Sequence, residues 1–361
     1  MPGRDLVGSM VGRYRVESLL GEGGMARVYV ATDTGVGRRV ALKALLPELG
    51  NNPEAAERFM NEARAMGKIH HPGVIDIFDV LVGPSGELCI VMELINGRNL
   101  REYIDAYGPL PPAQAVPVMR AVVDALAAAH ALGIVHRDLK PENVLLIADP
   151  LGGLRPKVLD FGIAKVADAS SVLTATNSHM GTATYMAPEQ FRSAKLVDHR
   201  ADIYALGCLF FELLVGRPPF AGRNLYEQMH AHLMLPPPLE ALPQGTPHAV
   251  VALLDRMLVK DRDHRLQSLT EAGAILDGRA PPPPRYVPPP EDGAAPAPSH
   301  RPGPGQGHGP RVGHPHGADQ RLAGATAGVD AHRPAGGRTW IVALVAIILV
   351  AVGVAAALAL T

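Results

Sequence analysis

The chain has 361 residues, with 34 Lys and Arg against 35 Asp and Glu, a formal net charge of −1 that supplies no global field to draw in nucleic acid. Its last third is rich in Pro, Gly and Ala, a composition that buries too little to offset chain entropy, leaving about 280 residues for a folded part with a large core. Two cysteines, Cys89 and Cys208, lie in apolar runs and read as buried thiols in a reducing compartment. The start, MPGRDLVGSM, lacks an apolar export core, so the folded part is expected in the cytosol.

Taken in order, residues 14–20 (YRVESLL) form a β-rich run ending in a glycine cluster. Strands at 27–32 and 39–44 flank a turn at 33–38. Residues 53–69 have helical spacing, with Asn52 as a cap and Glu54 as an acid in the first turn. Residues 74–81 and 87–94 read as a strand pair joined by GPSG. From Pro111 onward the pattern is mostly helical, at 113–132, 198–215, 224–233 and 250–259. An α+β architecture follows, with a small sheet-rich lobe before a larger helical lobe, over residues 12–277. Residues 278–338 read as a disordered linker rich in Pro, Gly and His. Residues 339–361 read as a transmembrane helix, because 340–360 are wholly apolar.

The chemistry begins at Gly21-Glu22-Gly23-Gly24-Met-Ala26-Arg-Val28. Glycines between two strands let backbone N–H groups approach a polyphosphate, although a glycine-rich hairpin turn explains the cluster nearly as well by itself. Fifteen residues beyond Val28, Lys43 ends the run VALK as a lone cation. It is either a strand-end lysine facing solvent or a phosphate grip held by a carboxylate. Glu62, in FMNEARAM, is the candidate partner, facing inward if Phe59, Ala63 and Met66 pack.

The segment His136-Arg137-Asp138-Leu-Lys140-Pro-Glu-Asn143-Val-Leu145 places a carboxylate, a lysine and an amide between two apolar stretches. A carboxylate can orient a hydroxyl and take its proton, a lysine can steady a transferred phosphoryl group, and an amide oxygen can ligate Mg²⁺. Asp160, in Leu-Asp160-Phe161-Gly162, supplies a second oxygen ligand of the kind Mg²⁺ prefers beside phosphates and water. A purely structural role would need a buried partner for each charge.

With these motifs the chain resembles the protein-kinase family, and in particular the bacterial, eukaryotic-like, membrane-anchored Ser/Thr kinases. The further matches are Gly181-Thr182-Ala183-Thr-Tyr-Met-Ala187-Pro188-Glu189, then Asp202-Ile-Tyr-Ala-Leu-Gly207, then Arg265. The resemblance implies a bilobal kinase fold and transfer of the ATP γ-phosphate to protein Ser/Thr hydroxyls. It implies Asp138 as base, supported by Lys140 and Thr182, and Asn143 with Asp160 on Mg²⁺, for which Mn²⁺ can substitute. Lys43 then pairs with Glu62 under the glycine loop of Gly21, Glu22, Gly23 and Gly24. Leu20, Val28, Ala41 and Leu145 sandwich the adenine, with Met92 as gatekeeper and Glu93 to Ile95 as hinge. Asp202 braces the catalytic loop and Glu189 pairs with Arg265.

Ala26 replaces the third loop glycine, Ala183 a usual proline, and Leu266 the proline after Arg265. None of these would touch phosphates, metal or base. A pseudokinase scaffold would lack Lys43, Asp138, Asn143 or Asp160, and all four are here. A small-molecule phosphotransferase would lack the segment GTATYMAPE.

Regulation is expected in the stretch 160–189, with Ser170, Ser171, Thr174, Thr176 and Ser178. The resemblance implies autophosphorylation at Thr174 and Thr176, the phosphate pairing with Arg137, and leaves room for a homodimer of kinase domains acting in trans. The linker histidines His300, His308, His314, His316 and His332 vary in spacing and read as a solvated tail. Arg321, Arg333 and Arg338 precede the apolar run, so the kinase side is expected in the cytoplasm and the C-terminus at the outer face of the cell membrane, with no extracytoplasmic sensor.

Overall fold

A computed structural model describes residues 5–50, 52–150, 152–161, 183–193 and 197–287. The first lobe is a sheet of β1 (Met10–Val11), β2 (Tyr14–Glu22), β3 (Ala26–Asp33), β4 (Arg38–Leu45), β5 (Ile77–Val82) and β6 (Leu88–Glu93), in the order β1-β2-β3-β4-β6-β5 with antiparallel neighbours. The period-two rule of strands sorts its residues. Tyr14, Val16, Tyr29, Ala31, Val40, Leu42 and Val91 pack as one cluster, while the intervening Ala41 and Met92 join the main core.

Two helices follow β4, the single-turn α1 (Pro47–Gly50) and α2 (Pro53–Met66), whose Phe59 and Ala63 pack with Ala26, Leu45 and Ile90 of the sheet. Asn52 caps α2 by accepting from the N–H of Glu54 and Ala55, at 3.0 and 3.3 Å. Phe59, Ala63 and Met66 are buried as the spacing predicts. The helix ends at Met66 rather than Ile69, with Gly67 as its C-cap.

The second lobe opens with β7 (Arg98–Asn99), α3 (Leu100–Tyr107) and α4 (Pro112–Ala131), then β8 (Val144–Ala148) and β9 (Leu154–Val158), which pair in the order β7-β8-β9. It continues with α5 (Pro188–Arg192), α6 (His199–Val215), α7 (Leu225–Met234), α8 (His248–Met257) and α9 (Leu269–Leu276). Helix α6 is buried on nearly every side from Ala201 to Leu214, as its mostly apolar sequence requires, with Asp202 and Glu212 as buried charged residues among them. At Gly207 a Cβ would lie 3.0 Å from side-chain atoms of Met257 and Leu258, so α6 and the end of α8 pack so closely that any larger residue would force these neighbours to shift. Cys89 and Cys208 are both buried and unbridged.

Three details differ from the expected outline. The strand expected at 74–81 begins at Ile77, and Val74 instead forms an isolated parallel bridge to Val158. Helices α3 and α9 were not anticipated, although Asn99 with Glu102 and Ser268 with Glu271 have capping spacing. Residues 278–287, expected as linker, lie on the second lobe. Arg279 N–H donates to Ala274 O at 2.8 Å, and Tyr286 N–H to Asp255 Oδ2 at 2.8 Å. Four successive prolines need no N–H partners, so this stretch can dock with few hydrogen bonds. The linker from 288 and the expected membrane helix lie outside the described residues. Among the described residues no helix is long and apolar enough to cross a membrane.

The second lobe is pinned by Arg265, whose guanidinium donates to Glu189 at 2.7 and 2.9 Å in the interior and to the carbonyls of Val259 and Arg200. Arg265→Leu leaves Glu189 buried without its cation. This substitution is expected to cost about 3–5 kcal/mol, measured as a lower urea midpoint.

Candidate active site

The β2–β3 hairpin carries the glycine cluster, with Gly21 opposite Val28 and Glu22 opposite Arg27. Gly23 N–H donates to Ala26 O at 2.9 Å, closing the turn. A Cβ at Gly21 or Gly24 would meet nothing within 4 Å, so packing inside the chain does not demand these glycines. Glu22 forms a rim ion pair with Arg27 at 2.9 Å. Ala26, in place of a third glycine, is a buried residue of β3 packed near Phe59.

Strand register places Val28 opposite Lys43, and Ala41 between Val30 and Met92. Ala41 and Met92 are buried, Val28 and Ile95 half-buried against the same core, Leu145 half-buried on β8, and Leu20 exposed. Glu93, the first residue of the expected hinge, is ion-paired to Lys157 on β9. That bond joins positions 64 apart in sequence, and no sequence pattern announced it.

Lys43 is where three segments meet. Its Nζ lies 3.0 Å from Glu62 Oε1 on α2 and 2.8 Å from Asp160 Oδ1. The expected pairing is therefore present, and Asp160, expected on a metal, shares the same ammonium. Burial opposes the Lys43 charge, but Asp160 and Glu62 outweigh it and hold the ammonium above its ordinary value. Burial pushes the Glu62 carboxyl up, with Lys43 opposing. At Asp160 burial also acts upward, yet Lys43 reverses it and the carboxyl ends below its usual range.

The loop after α4 carries the remaining groups. Asp202, 1 % exposed on α6, accepts from the backbone N–H of His136 at 2.7 Å and of Arg137 at 2.8 Å, with His130 Nε2 at 2.8 Å. This fixes Arg137 in a left-handed conformation, φ 65°, that a non-glycine residue adopts only under constraint. His136 is fully buried and pushed down by that burial against the pull of Asp202, so its ring is neutral. Its Nδ1 accepts from Asp138 N–H at 3.3 Å, leaving Nε2–H for Leu159 O at 3.1 Å. The His136 ring also lies 4.7 Å from Phe161. One imidazole thus ties the loop at 136–138 to the strand end that presents Asp160.

Lys140 Nζ stands 3.6 Å from Asp138 Oδ2. Asn143 donates its amide N–H to Asp138 O at 2.8 Å. Gln190 on α5 donates to Arg137 O at 3.0 Å and accepts from Ala187 N–H at 2.8 Å, a link to the catalytic loop that no sequence pattern announces. Tyr185 and Met186 line a small gap together with Arg137, Asp138 and Asp202. Asp138, Lys140, Asn143, Asp160, Lys43 and Glu62 are thus brought together by direct contacts running through the loop at 136–143 and the strand end at 159–160. Thr182, Gly162 and the Ser/Thr cluster at 170–178 lie outside the described residues. Ala183 and Leu266, the other departures from the kinase pattern, are buried core residues. Among the described residues no group of three or more His, Cys, Asp or Glu forms a separate metal site.

The two lobes, the Lys43–Glu62 pair and the braced loop define a protein kinase, and the chain belongs to that family: the protein kinase domain profile matches residues 14–274. Its relatives are bacterial serine/threonine kinases. It is 39% identical over 273 residues to the probable serine/threonine-protein kinase PknB of Corynebacterium glutamicum, covering 73% of this chain and 42% of that protein. It is 39% identical over 290 residues to PknA of Mycobacterium tuberculosis, covering 78% and 65%. The solved PknI kinase domain of Mycobacterium tuberculosis is 28% identical with a TM-score of 0.58, covering 76% of this chain and 98% of that one. The chain spans less than two thirds of the length of these full-length relatives.

The bracing role of Asp202 has a measurable consequence. Asp202→Ala strands two buried N–H groups and should cost about 2–4 kcal/mol. Hydrogen exchange at the His136 and Arg137 amides should accelerate well beyond that of α6.

Proposed function

We propose that this chain is a Ser/Thr protein kinase that moves the γ-phosphoryl group of ATP to protein hydroxyls. The observation that carries this reading is the convergence of Asp138, Lys140, Asn143 and Asp160 around the end of the Lys43–Glu62 pair. The open space over Gly21 and Gly24 suits a polyphosphate approaching backbone N–H groups.

Asp138 orients the acceptor hydroxyl and takes its proton as the new oxygen–phosphorus bond forms. The bond from the γ-phosphorus to the bridging oxygen breaks, and ADP leaves with that electron pair. Lys140, beside the Asp138 carboxylate, steadies the moving phosphoryl charge, and Lys43 holds the phosphates that stay behind. Leu20, Val28, Ala41 and Leu145 would contact the adenine, with Met92 as gatekeeper and Glu93 to Ile95 as hinge. Thr182 supports Asp138.

The donor chemistry fits Mg²⁺ or Mn²⁺. Asn143 commits its amide nitrogen to Asp138 O, which leaves its oxygen as the ligand atom, and the Asp160 side chain is 43% exposed. The ion would supply charge neutralisation on the phosphate oxygens. With the four residues a scaffold protein would lack all present and converging, the pseudokinase alternative has no support.

Asp138→Asn should lower phosphoryl transfer to a protein substrate by on the order of 10²–10⁴ while leaving the thermal midpoint near wild type. Radiolabelled ATP and a generic basic substrate test it, and a folded variant working at wild-type rate would overturn the assignment.

The apolar run 340–360 supports membrane tethering with the kinase side in the cytoplasm. At about 1.5 Å per residue it reaches roughly 31 Å, the thickness of a hydrocarbon core, and Arg333 and Arg338 precede it. Truncation after Gly337 should move the kinase to the soluble fraction with its activity intact. A truncated chain that still sediments with membranes would remove this reading.

A further inference from the structure

Beneath the segment 183–187 lies a buried polar chain that the catalytic reading does not use. His232 on α7 and Tyr204 on α6 are fully buried, and Gln228 is nearly so. Lys260 Nζ donates to Tyr204 Oη at 3.1 Å and stands 3.6 Å from the Phe220 ring centroid. Tyr204 Oη is 3.0 Å from His232 Nδ1. The His232 ring is also hydrogen-bonded to the backbone of Thr184, and Phe191 on α5 and Phe220 enclose it at 5.8 and 5.0 Å between centroids.

The tautomer follows from the neighbours. Gln228 Oε1 accepts from Gly222 N–H at 2.7 Å and its Nε2 donates to Phe220 O at 3.1 Å, which fixes the amide orientation. That same Nε2 lies 2.9 Å from His232 Nε2, so the ring nitrogen there is the acceptor. Burial, with the Lys260 charge adding to it, pushes His232 down to about 3, so the ring stays neutral and carries its one proton on Nδ1, shared between Tyr204 Oη and the Thr184 backbone carbonyl as acceptors.

Residues 183–187 run beside the catalytic loop. Tyr185 and Met186 share a gap with Asp138, and Gln190 bonds the carbonyl of Arg137. Because the segment borders Asp138, a hydroxyl presented to that carboxylate would lie beside it, and its backbone placement would set acceptor geometry. The nucleotide groups lie elsewhere, at the β2–β3 hairpin and Lys43. Thr184 takes its hold from a histidine 48 residues away whose own orientation is set by Gln228, Tyr204 and Lys260.

We propose that His232 is a positioning residue for the acceptor protein: through its contact with the Thr184 backbone it carries the order of the large-lobe core to the segment that receives the peptide. This rests on the kinase reading above. A merely structural histidine would, when replaced, lower stability and affect both substrates alike. A positioning residue separates them.

The test compares His232→Phe, His232→Asn and Lys260→Met with wild type in the full chain. Acceptor and ATP kinetics are measured separately, with amide exchange across 183–187. His232→Phe should raise KM for the acceptor on the order of tenfold, as loss of a buried hydrogen bond does, and leave KM for ATP within twofold. His232→Asn, whose amide N–H can stand where Nδ1–H was, should recover most of that loss. Exchange at Tyr185 should quicken in His232→Phe and less so in Asn. Lys260→Met cuts the far end of the chain and should reproduce the selective effect in weaker form, and it carries the test if His232→Phe does not fold. Equal rises in both KM values, or unchanged acceptor KM with unchanged exchange, would overturn the proposal. If wild type transfers no phosphate, the kinase reading fails, and the exchange data alone decide whether His232 orders the segment.

Discussion

The carboxylate of Asp202 is the constraint on which the catalytic loop depends. An ionised group in a dry interior is tolerated only when its oxygens are fully engaged, and this one collects the N–H groups of His136 and Arg137 and the ring of His130. Helix α6 supplies the dry setting, because its apolar residues pack on nearly every side. Once those two N–H groups are fixed, Arg137 takes its left-handed conformation, and the chain direction through Asp138 follows. His136 passes the same order to Leu159 and Phe161, and so to the position of Asp160. A single buried charge thereby organises groups on two separate segments.

A second charge joins the lobes' chemistry. The Lys43 ammonium sits among two carboxylates, one from α2 and one from the strand end at 160. Lys43 and Glu62 are largely buried, and the ammonium stabilises both carboxylates while they stabilise it, although Asp160 and Glu62 oppose each other. The balance is uneven: Asp160 keeps its charge more readily than an ordinary carboxyl, whereas Glu62 is pushed toward protonation. Lys43 therefore reads the placement of both segments together. An inward α2 and a correctly aimed Asp160 are needed to satisfy it.

The segment 183–193 shows how a stretch with little regular structure is held by the lobe it packs on. Glu189 is clamped by Arg265, Tyr185 donates to buried Glu212 at 2.6 Å, and Gln190 reaches the catalytic loop. His232 adds a hold at Thr184. Each anchor comes from a different helix or turn of the large lobe, so the segment takes its shape from the packing of that lobe.

The sequence by itself determined the lobes, the motifs and most elements, because these depend on local pattern. Alternating apolar residues marked β2 to β6, helical spacing marked α2, α4 and α6 to α8, and the tight grouping of Asp138, Lys140 and Asn143 pointed to phosphoryl chemistry before any fold was known. Short elements escaped: α3 and α9 each have eight residues, too few for periodicity to stand out. Composition alone did not announce that residues 278–287 lie on the second lobe, since a polyproline stretch resembles linker whether or not it docks on helices. Only the tertiary structure decided that Lys43 is shared between Glu62 and Asp160, that Gln190 holds the Arg137 carbonyl, and that Lys260, Tyr204 and His232 form one chain. The reason is physical. Such contacts join residues tens of positions apart, and their partners are chosen by helix packing, which leaves no local signature in the order of amino acids.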